Sequence, residues 1–260
     1  MDLLKKAIEA AIVSGRKIHE LYKTAEVHAT SKEDLTPLTN ADLLSNKIII
    51  ARLEDTGIPI MSEENKTVPF NVRKKWKRLW IIDPLDGTKE FLKENGEFTV
   101  NIALIENNKP LLGVIYVPVT GELYYGDKEN GSYKTVIEDI QSPAHITTEP
   151  DPLPCSYPGN DYTMVVSRSH MNDATRAYID SVAKTKAKIR TITRGSSLKI
   201  CMVAEGKADC YPRFAPTMEW DTAAGHAIAV FAGKKVLSAD TGEELSYNKE
   251  ILLNPWFIVR

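Results

Sequence analysis

The chain has 260 residues, of which 43% are hydrophobic and 26% are charged, and its formal net charge at pH 7 is -2. This length fits one large globular unit or two lobes around a cleft, with enough apolar residues for a core. The near-neutral charge and the lack of a long basic stripe argue against nucleic acid as a partner.

The three cysteines, Cys155, Cys201 and Cys210, form no CxxC motif. An odd number without such a motif argues against a disulfide framework or a zinc site and favours a reducing compartment. Residues 1–22 alternate charged and apolar side chains and lack the uninterrupted apolar core of a signal peptide or membrane span. We therefore expect a cytoplasmic protein with no integral membrane segment. The sequence leaves open both peripheral attachment to the cytoplasmic face of the inner membrane and the oligomeric state.

The first half of the chain predicts two helices followed by strands. Apolar residues at helical spacing predict a helix over 2–23, and Thr39 or Asn40 is placed to cap a second helix that ends near Leu53. Short β-rich segments between turn residues predict strands over the ranges 58–61, 79–82, 98–105, 112–117 and 122–125.

A proline-rich stretch over 141–162 is the predicted boundary between two lobes. Residues 1–142 would form an N-terminal α+β lobe, and residues 143–260 a C-terminal α/β lobe in which strands and helices alternate. The strands are expected over 162–167, 188–193, 208–212 and 235–238, and the helices over 172–184, 196–205 and 221–231. The predicted fold class is α/β.

The segment Trp80-Ile-Ile-Asp-Pro-Leu-Asp-Gly-Thr-Lys-Glu-Phe91 carries two carboxylates at the end of an apolar strand. Pro84 is expected to stop the sheet ladder and stiffen the turn, and Gly87 lets the backbone approach a ligand. Thr88 would begin a helix whose free amides attract anions. Carboxylate oxygens beside such amides suit magnesium and phosphate together, although a capped helix with a turn-forming Asp83 would explain the same residues.

Other acidic residues stand at similar positions. Glu63 and Glu64 follow the short strand 58–61, Asp42 lies in the first turn of the second helix, and Asp221 lies at the start of a later helix. Each of these, taken alone, has an ordinary explanation as a solvated acid or a helix cap.

Taken together, three segments in the same order resemble the inositol monophosphatase superfamily of metal-dependent, lithium-sensitive phosphatases. They are Ser62-Glu-Glu64, Trp80 to Thr88, and Trp220-Asp-Thr-Ala-Ala-Gly225. The resemblance runs over essentially the whole chain. It looks closest to the bacterial CysQ type of 3′(2′),5′-bisphosphate nucleotidase, through segments 87–91, 95–103, 167–170, 195–199 and 211–214.

The resemblance implies a layered sugar-phosphatase fold and a site for two to three Mg²⁺ ions. Glu63, Asp83 and the backbone oxygen of Leu85 would hold one ion. Asp83 would bridge to a second ion, held also by Asp86 and Asp221, and a third, weaker ion would lie near Glu63. The spacing in the family favours Glu63 over Glu64 as the ligand.

The resemblance also implies direct attack by a metal-activated water, without a phosphoenzyme. Thr88, hydrogen-bonded to Asp42, would orient that water and pass its proton on, with Glu63 as a further catalytic residue. The amides of Gly87 and Thr88 would hold the phosphate.

The implied substrate is adenosine 3′,5′-bisphosphate, converted to AMP and phosphate in sulfur assimilation, with 3′-phosphoadenylyl sulfate as a second candidate. The family's nucleotide-binding positions fall on His170, Ser196, Lys199 and Arg213. The phosphate end would be lined by Glu63, Leu85, Asp86, Gly87, Thr88 and Asp221. Without the resemblance, helix caps or solvated side chains would be the favoured explanation for these positions.

Two other functions remain open at this point. One is an inositol or sugar phosphate monophosphatase of the same fold, against which the basic residues 199 and 213 argue, because they suit a second phosphate. The other is a regulatory module that binds phosphonucleotides without turnover. Such a module would be expected to lack a metal ligand or Thr88, and the sequence keeps all of them.

Overall fold

The computed structural model describes residues 2–24, 29–31, 37–137, 149–155, 161–168 and 171–260. Its helices are α1 (Leu3–Thr24), α2 (Asn40–Leu53), α3 (Phe70–Arg73), α4 (Thr88–Leu92), α5 (Asp173–Ala183), α6 (Leu198–Glu205) and α7 (Glu219–Phe231). None of the described helices combines the length and the apolar character needed to cross a membrane.

The strands fall into an N-terminal and a C-terminal group. The first group is β1 (Ala29–Ser31), β2 (Pro37–Thr39), β3 (Ile60–Ser62), β4 (Arg78–Asp86), β5 (Thr99–Glu106), β6 (Lys109–Tyr116), β7 (Glu122–Asp127), β8 (Gly131–Val136) and β9 (Asp151–Pro152). The second group is β10 (Tyr162–Ser167), β11 (Ile189–Arg194), β12 (Tyr211–Arg213), β13 (Val236–Ser238) and β14 (Phe257–Val259).

Seven strands form the main sheet, in the order β3-β4-β5-β6-β7-β8-β9. The first pair is parallel and the others are antiparallel. Both faces of this sheet are buried, so its central strands are apolar on both sides rather than alternating apolar and polar. Trp80 and Ile82 of β4 pack with α1 and α2 on one face, whereas Leu79 and Ile81 pack towards α6 and α7 on the other.

The C-terminal strands form a second layer. β10 pairs in parallel with β11, and β14 lies antiparallel between β12 and β13. A bridge between Met164 and Cys210 joins the two groups. Helices α6 and α7 share one apolar core with both sheets and therefore lie between them. The resulting succession of helix and sheet layers is the predicted α/β architecture.

Most predicted elements are present, with ends shifted by a few residues. Thr39 caps α2: its hydroxyl accepts hydrogen bonds from the amides of Ala41 and Asp42. Asn107 and Asn108 both have positive φ, 50° and 65°, and join β5 to β6 in a tight hairpin. Asparagine tolerates this conformation better than most residues, which explains why the sequence predicts a turn between these two strands.

Several expectations about local structure are wrong. The strand before Asp83 does not stop at Pro84, because β4 continues to Asp86, which pairs with Thr99 beyond a register shift. Pro84 falls within that irregularity, where its missing N–H costs no ladder hydrogen bond. Ser196 is not helical: its φ is 52°, and α6 begins at Leu198. Strands β1, β2, β8, β9 and β14 were not predicted, since all but β8 are only two or three residues long.

The predicted boundary between the lobes, at 142/143, lies outside the described residues. Asp151 and Pro152, which the prediction assigned to the second lobe, pair with β8 of the main sheet. The division into lobes stays a prediction.

Candidate active site

Two acidic side chains meet where β3 and β4 run side by side. The parallel register pairs Ser62 with Ile82, so the next residues along each strand, Glu63 and Asp83, emerge together. The amide of Glu63 donates to the carbonyl oxygen of Ile82 at 3.2 Å, which fixes the chain at the point where β3 ends. A single register thus places two carboxylates at one edge of the sheet.

The third member of this acidic cluster comes from α7. One carboxylate oxygen each from Glu63, Asp83 and Asp221 lie within 4.8 Å of one another. Asp221 is the third residue of α7, and its Oδ2 accepts a hydrogen bond of 2.8 Å from the amide of Met218. Three convergent carboxylates match the hard oxygen ligands that Mg²⁺ prefers.

The start of α7 is itself anchored by a buried acid. Glu219 has no solvent exposure, and its carboxylate accepts from the amides of Asn248 and Lys249 at 2.6 and 2.9 Å. The ammonium of Lys249 lies 2.7 Å from the same carboxylate. Along the helix, Gly113 of β6 allows α7 to approach the sheet, because a Cβ there would lie 2.4 Å from the carbonyl oxygen of Ala224. These contacts fix the position of α7 and therefore of Asp221.

The cluster carries more negative charge than its surroundings balance. Burial is the main reason that the pKa of Asp83 lies well above its usual value, and the nearby Glu63 adds to the effect. Burial and the charge of Asp86 raise the pKa of Asp221 to about 8. Carboxylates that repel one another in a buried site are stabilised by a bound cation, so the electrostatics fit a metal site.

Asp86 is held differently from the other acids. Its Oδ2 accepts hydrogen bonds from the Ser196 hydroxyl and the Ser197 amide, both at 2.6 Å, and from Asn101 Nδ2 at 3.3 Å. Ser196 and Ser197 belong to the turn before α6, whereas Asp86 and Asn101 belong to the main sheet. Asp86 is therefore tied to the C-terminal layer.

Thr88 and Asp42 form the predicted pair. The Thr88 hydroxyl lies 3.2 Å from Asp42 Oδ1 and 3.4 Å from the carbonyl oxygen of Leu85. The other oxygen of Asp42 accepts from the Thr39 amide at 2.8 Å and from its hydroxyl at 2.5 Å. Asp42 is 2% exposed. This buried carboxylate can therefore accept the Thr88 proton through one defined oxygen.

One cleft of about 250 Å³ is lined by most of these residues, although Asp42 and Asn101 are not among them. The acidic residues Glu63, Asp83, Asp86 and Asp221 line it, together with Leu85, Gly87 and Thr88. Ser196 and the basic residues Lys199 and Arg213 line the same cleft. A proposed metal site and two positively charged side chains therefore share one cleft, as a phosphorylated substrate with a second anionic group would require.

The two basic side chains of the cleft, Lys199 and Arg213, are more buried than solvated side chains would be. Lys199 and Arg213 are 5% and 9% exposed. Burial lowers the pKa of Lys199 to about 8, although Asp86 acts in the opposite direction. The Lys199 ammonium donates to the carbonyl oxygen of Ser196 and lies over the Tyr211 ring, 5.6 Å from its centre.

Some positions differ from the expected set. His170 lies outside the described residues. Glu64 does not line the cleft, whereas Glu90, Ser167, Ser197 and Tyr211 do. Thr99 and Asn101, which tie Asp86 to the turn before α6, were assigned no role from sequence, although segment 95–103 carried part of the resemblance. A buried polar residue in an otherwise apolar strand was the available signal, because such residues need partners.

Comparison with known proteins gives a consistent result over the whole chain. A sequence model of the inositol monophosphatase family matches residues 1–257. The curated 3′(2′),5′-bisphosphate nucleotidase CysQ of Salmonella typhimurium is 41% identical over 261 aligned positions, which cover 99% of each chain. The protein of the same name from Buchnera aphidicola is 41% identical and is covered over 88% of its length. The predicted resemblance is confirmed.

Solved structures agree with the fold. The crystal structure of CysQ from Bacteroides thetaiotaomicron, described as a bacterial member of the inositol monophosphatase family, superposes with a TM-score of 0.87. It is 48% identical, and the match covers 98% of this chain and 95% of that one. An inositol monophosphatase structure from Thermotoga maritima, at 23% identity and a TM-score of 0.73, shares the fold.

Proposed function

The chain belongs to the inositol monophosphatase family, and we propose that it is a magnesium-dependent 3′(2′),5′-bisphosphate nucleotidase that removes the 3′-phosphate of adenosine 3′,5′-bisphosphate. The single observation that carries the proposal is the cleft, which is lined both by an acidic cluster and by the buried side chains of Lys199 and Arg213. The similarity over the full length to curated nucleotidases supports the same activity.

The donor set fits the metal on which the family generally depends, Mg²⁺. Glu63, Asp83 and the carbonyl oxygen of Leu85 would hold one ion. Asp83, Asp86 and Asp221 would hold a second, and Glu63 could share a weaker third. The convergence of Glu63, Asp83 and Asp221 within 4.8 Å supports a metal site, as do the raised pKa values of Asp83 and Asp221. Asp86 is not part of that group, and its role as a ligand rests on the resemblance to the family.

Bound magnesium would activate the attacking water and neutralise charge on the transferred phosphoryl group and the departing 3′-oxygen. The chain's own residues would do the rest. Thr88 would accept a hydrogen bond from the water and pass a proton to Asp42, which lies 3.2 Å from its hydroxyl. The amides of Gly87 and Thr88 would bind phosphate oxygens at the start of α4, where Gly87 has a φ of 94°.

The phosphate that is not hydrolysed would bind to Lys199 and Arg213. Arg213 donates from Nη2 to the carbonyl oxygen of Pro216 at 3.1 Å, which holds the guanidinium in place. Ser196, and His170 by resemblance, would contact the nucleotide. The related 3′-phosphoadenylyl sulfate carries the same 3′-phosphate and an anionic phosphosulfate at the 5′ position, and is a second candidate substrate. The three free cysteines support a reducing, cytoplasmic location.

The test is phosphate release from adenosine 3′,5′-bisphosphate, beside inositol 1-phosphate and fructose 1,6-bisphosphate, with and without Mg²⁺ and with added lithium. We expect magnesium-dependent, lithium-sensitive turnover with kcat/KM highest for the nucleotide. A preference for inositol or sugar phosphate would leave the metal site in place and reject the assignment of Lys199 and Arg213 to a second phosphate. Binding of the nucleotide without turnover of any substrate would favour a regulatory module.

A further inference from the structure

Oδ2 of Asp86 is occupied by hydrogen bonds, and Oδ1 is not. Oδ2 has three donors, from Ser196, Ser197 and Asn101, whereas Oδ1 accepts no hydrogen bond from any described residue. A carboxylate held by one oxygen presents the other in a fixed direction. Partners behind a metal ligand commonly set its orientation in this way.

The orientation of Asn101 is fixed by two hydroxyl groups. The hydroxyls of Thr99 and Ser197 lie within hydrogen-bond distance of Asn101 Oδ1, at 2.9 and 3.0 Å, and that oxygen can only accept. Since one end of the amide accepts these hydrogen bonds, the other end, Nδ2, must face Asp86. Thr99 and Asn101 are 0% and 1% exposed, so water does not compete for these contacts.

Thr99 also holds the turn that carries the other two donors. Its Oγ1 lies 2.7 Å from Ser196 Oγ and 2.8 Å from Ser197 Oγ. Because each hydroxyl carries one proton and that of Ser196 goes to Asp86, Thr99 donates to one of its three neighbours at a time. Ser196 has a φ of 52°. This conformation is unfavourable for serine, so contacts with neighbouring residues must stabilise it. Glu97 supplies a further contact, because its Oε2 accepts from the amide of Gly195 at 2.7 Å. Thr99, at the start of β5, and Glu97, just before it, therefore stabilise the turn before α6.

We propose that Thr99 and Asn101 are positioning residues for the metal site: they fix Asp86, through Oδ2 and the Ser196–Ser197 turn, so that Oδ1 would be presented as a ligand for the second magnesium ion. This inference rests on the proposed role of Asp86 as a ligand. The network joins the main sheet to the turn before α6, so both contribute to the position of Asp86.

The experiment is calorimetric titration of the metal-free protein with MgCl₂, without nucleotide, on Asn101→Leu and Thr99→Val. Asn101→Leu should weaken the binding step that depends on Asp86 by about 10- to 100-fold, as is typical for loss of a partner behind a metal ligand. Thr99→Val should weaken it in the same direction, and Thr99→Ser, which keeps the hydroxyl, should restore it.

Two controls separate positioning from a general loss of packing. Tyr124→Phe removes a hydrogen bond of 3.2 Å to Glu205 of α6, another contact between the layers, and should leave Mg²⁺ binding unchanged. In an Asp86→Asn background, Asn101→Leu should cause no further loss, because the two residues act through one ion.

Three results would overturn the proposal. They are wild-type Mg²⁺ affinity in a folded Asn101→Leu protein, an equal loss in the Asp86→Asn background, and wild-type binding in Asp86→Asn itself, which would also remove the premise. Hydrolysis of the nucleotide is assayed separately, so a wrong substrate would leave these titrations interpretable.

Discussion

The Thr88 hydroxyl lies 3.2 Å from Oδ1 of Asp42, which is contributed by a helix 46 positions earlier in the chain. Asp42 is fixed by the cap of α2, since its other oxygen accepts two hydrogen bonds from Thr39. The pair therefore combines a rigid acceptor with a hydroxyl at the edge of the cleft. Such an arrangement suits a relay of one proton away from an attacking water.

Thr88→Ala should lower kcat by about 100-fold or more, because general acid–base groups contribute factors of this order. Mg²⁺ affinity should change little, since the side chain is not a proposed ligand. Steady-state kinetics and metal titration measure the two effects, and Thr88→Ser, which keeps the hydroxyl, is the matched control. A larger loss of metal affinity than of kcat would assign Thr88 to binding instead.

Asp86→Asn should nearly abolish turnover while the protein remains folded, because it removes a charged ligand from the proposed second ion. Asparagine retains an oxygen and is nearly the same size, so circular dichroism and the melting temperature should stay close to those of the wild type. Asp240→Asn, at an exposed position away from the cleft, controls for the change of charge. Activity near the wild-type value would rule out the assignment of two metal ions.

The metal-free protein should lose stability as pH rises. Burial and neighbouring charge raise the pKa of Asp221 from its usual 3.8 to about 8 and raise that of Asp83 in the same direction. Between the usual pKa of 3.8 and the raised pKa of about 8, these carboxyl groups bind more protons in the folded state than in the unfolded chain. Their contribution to the free energy of unfolding therefore falls with increasing pH. We expect the melting temperature in EDTA to drop between about pH 6.5 and pH 8. Below this window the lowered pKa of His226, and above it the lowered pKa of Lys199, act in the opposite direction.

Asp221→Asn should make that pH dependence shallower, because it removes one of the repelling charges. Mg²⁺ should raise the melting temperature more at pH 8 than at pH 5, since its ligands must be deprotonated to bind it. A melting temperature that rises between about pH 6.5 and pH 8 in EDTA would contradict the electrostatic account of the cluster.

Lys199→Met should impair hydrolysis of adenosine 3′,5′-bisphosphate more than that of adenosine 3′-monophosphate. A hydrogen bond to a charged group contributes about 1.5–3 kcal/mol, so we expect roughly a 10- to 100-fold selective loss in kcat/KM. Burial lowers the pKa of Lys199 to about 8, so in the wild type the preference for the bisphosphate should decline above that pH. Equal losses for both substrates would place the second phosphate elsewhere.

Gly113→Ala should destabilise the fold and weaken Mg²⁺ binding together. The added Cβ would lie 2.4 Å from the carbonyl oxygen of Ala224 and 2.7 Å from Ala227 Cβ, so α7 must shift and carry Asp221 with it. Overpacking of this kind costs about 1–3 kcal/mol. Urea unfolding and metal titration measure the two effects, and Gly242→Ala, where the turn has open space but a positive φ, is a control that should affect stability alone.

The sequence by itself determined the composition of the site. Local pattern placed Glu63, Asp83, Asp86 and Asp221 at the ends of apolar strands and in the first turns of helices. Three motifs in order then gave the resemblance to the family, and that resemblance, rather than the pattern, implied that these residues bind metal. The hairpin at Asn107 and Asn108 and the cap at Thr39 were readable for the same reason, since each depends on the conformational preference of residues next to one another.

Only the tertiary structure decided how those residues are held. Residues far apart in sequence support Asp86 and Asp221: Ser196 and Ser197 donate to one, and the Glu219–Asn248 contact anchors the helix of the other. Local pattern could not reveal the bulge that lets β4 pass Pro84, because pairing with β5 stabilises it. Burial of Lys199 follows from the packing of α6 between two sheets, and its lowered pKa follows from that burial. Desolvation and long-range hydrogen bonds depend on which surfaces meet, so they arise only when the whole chain is folded.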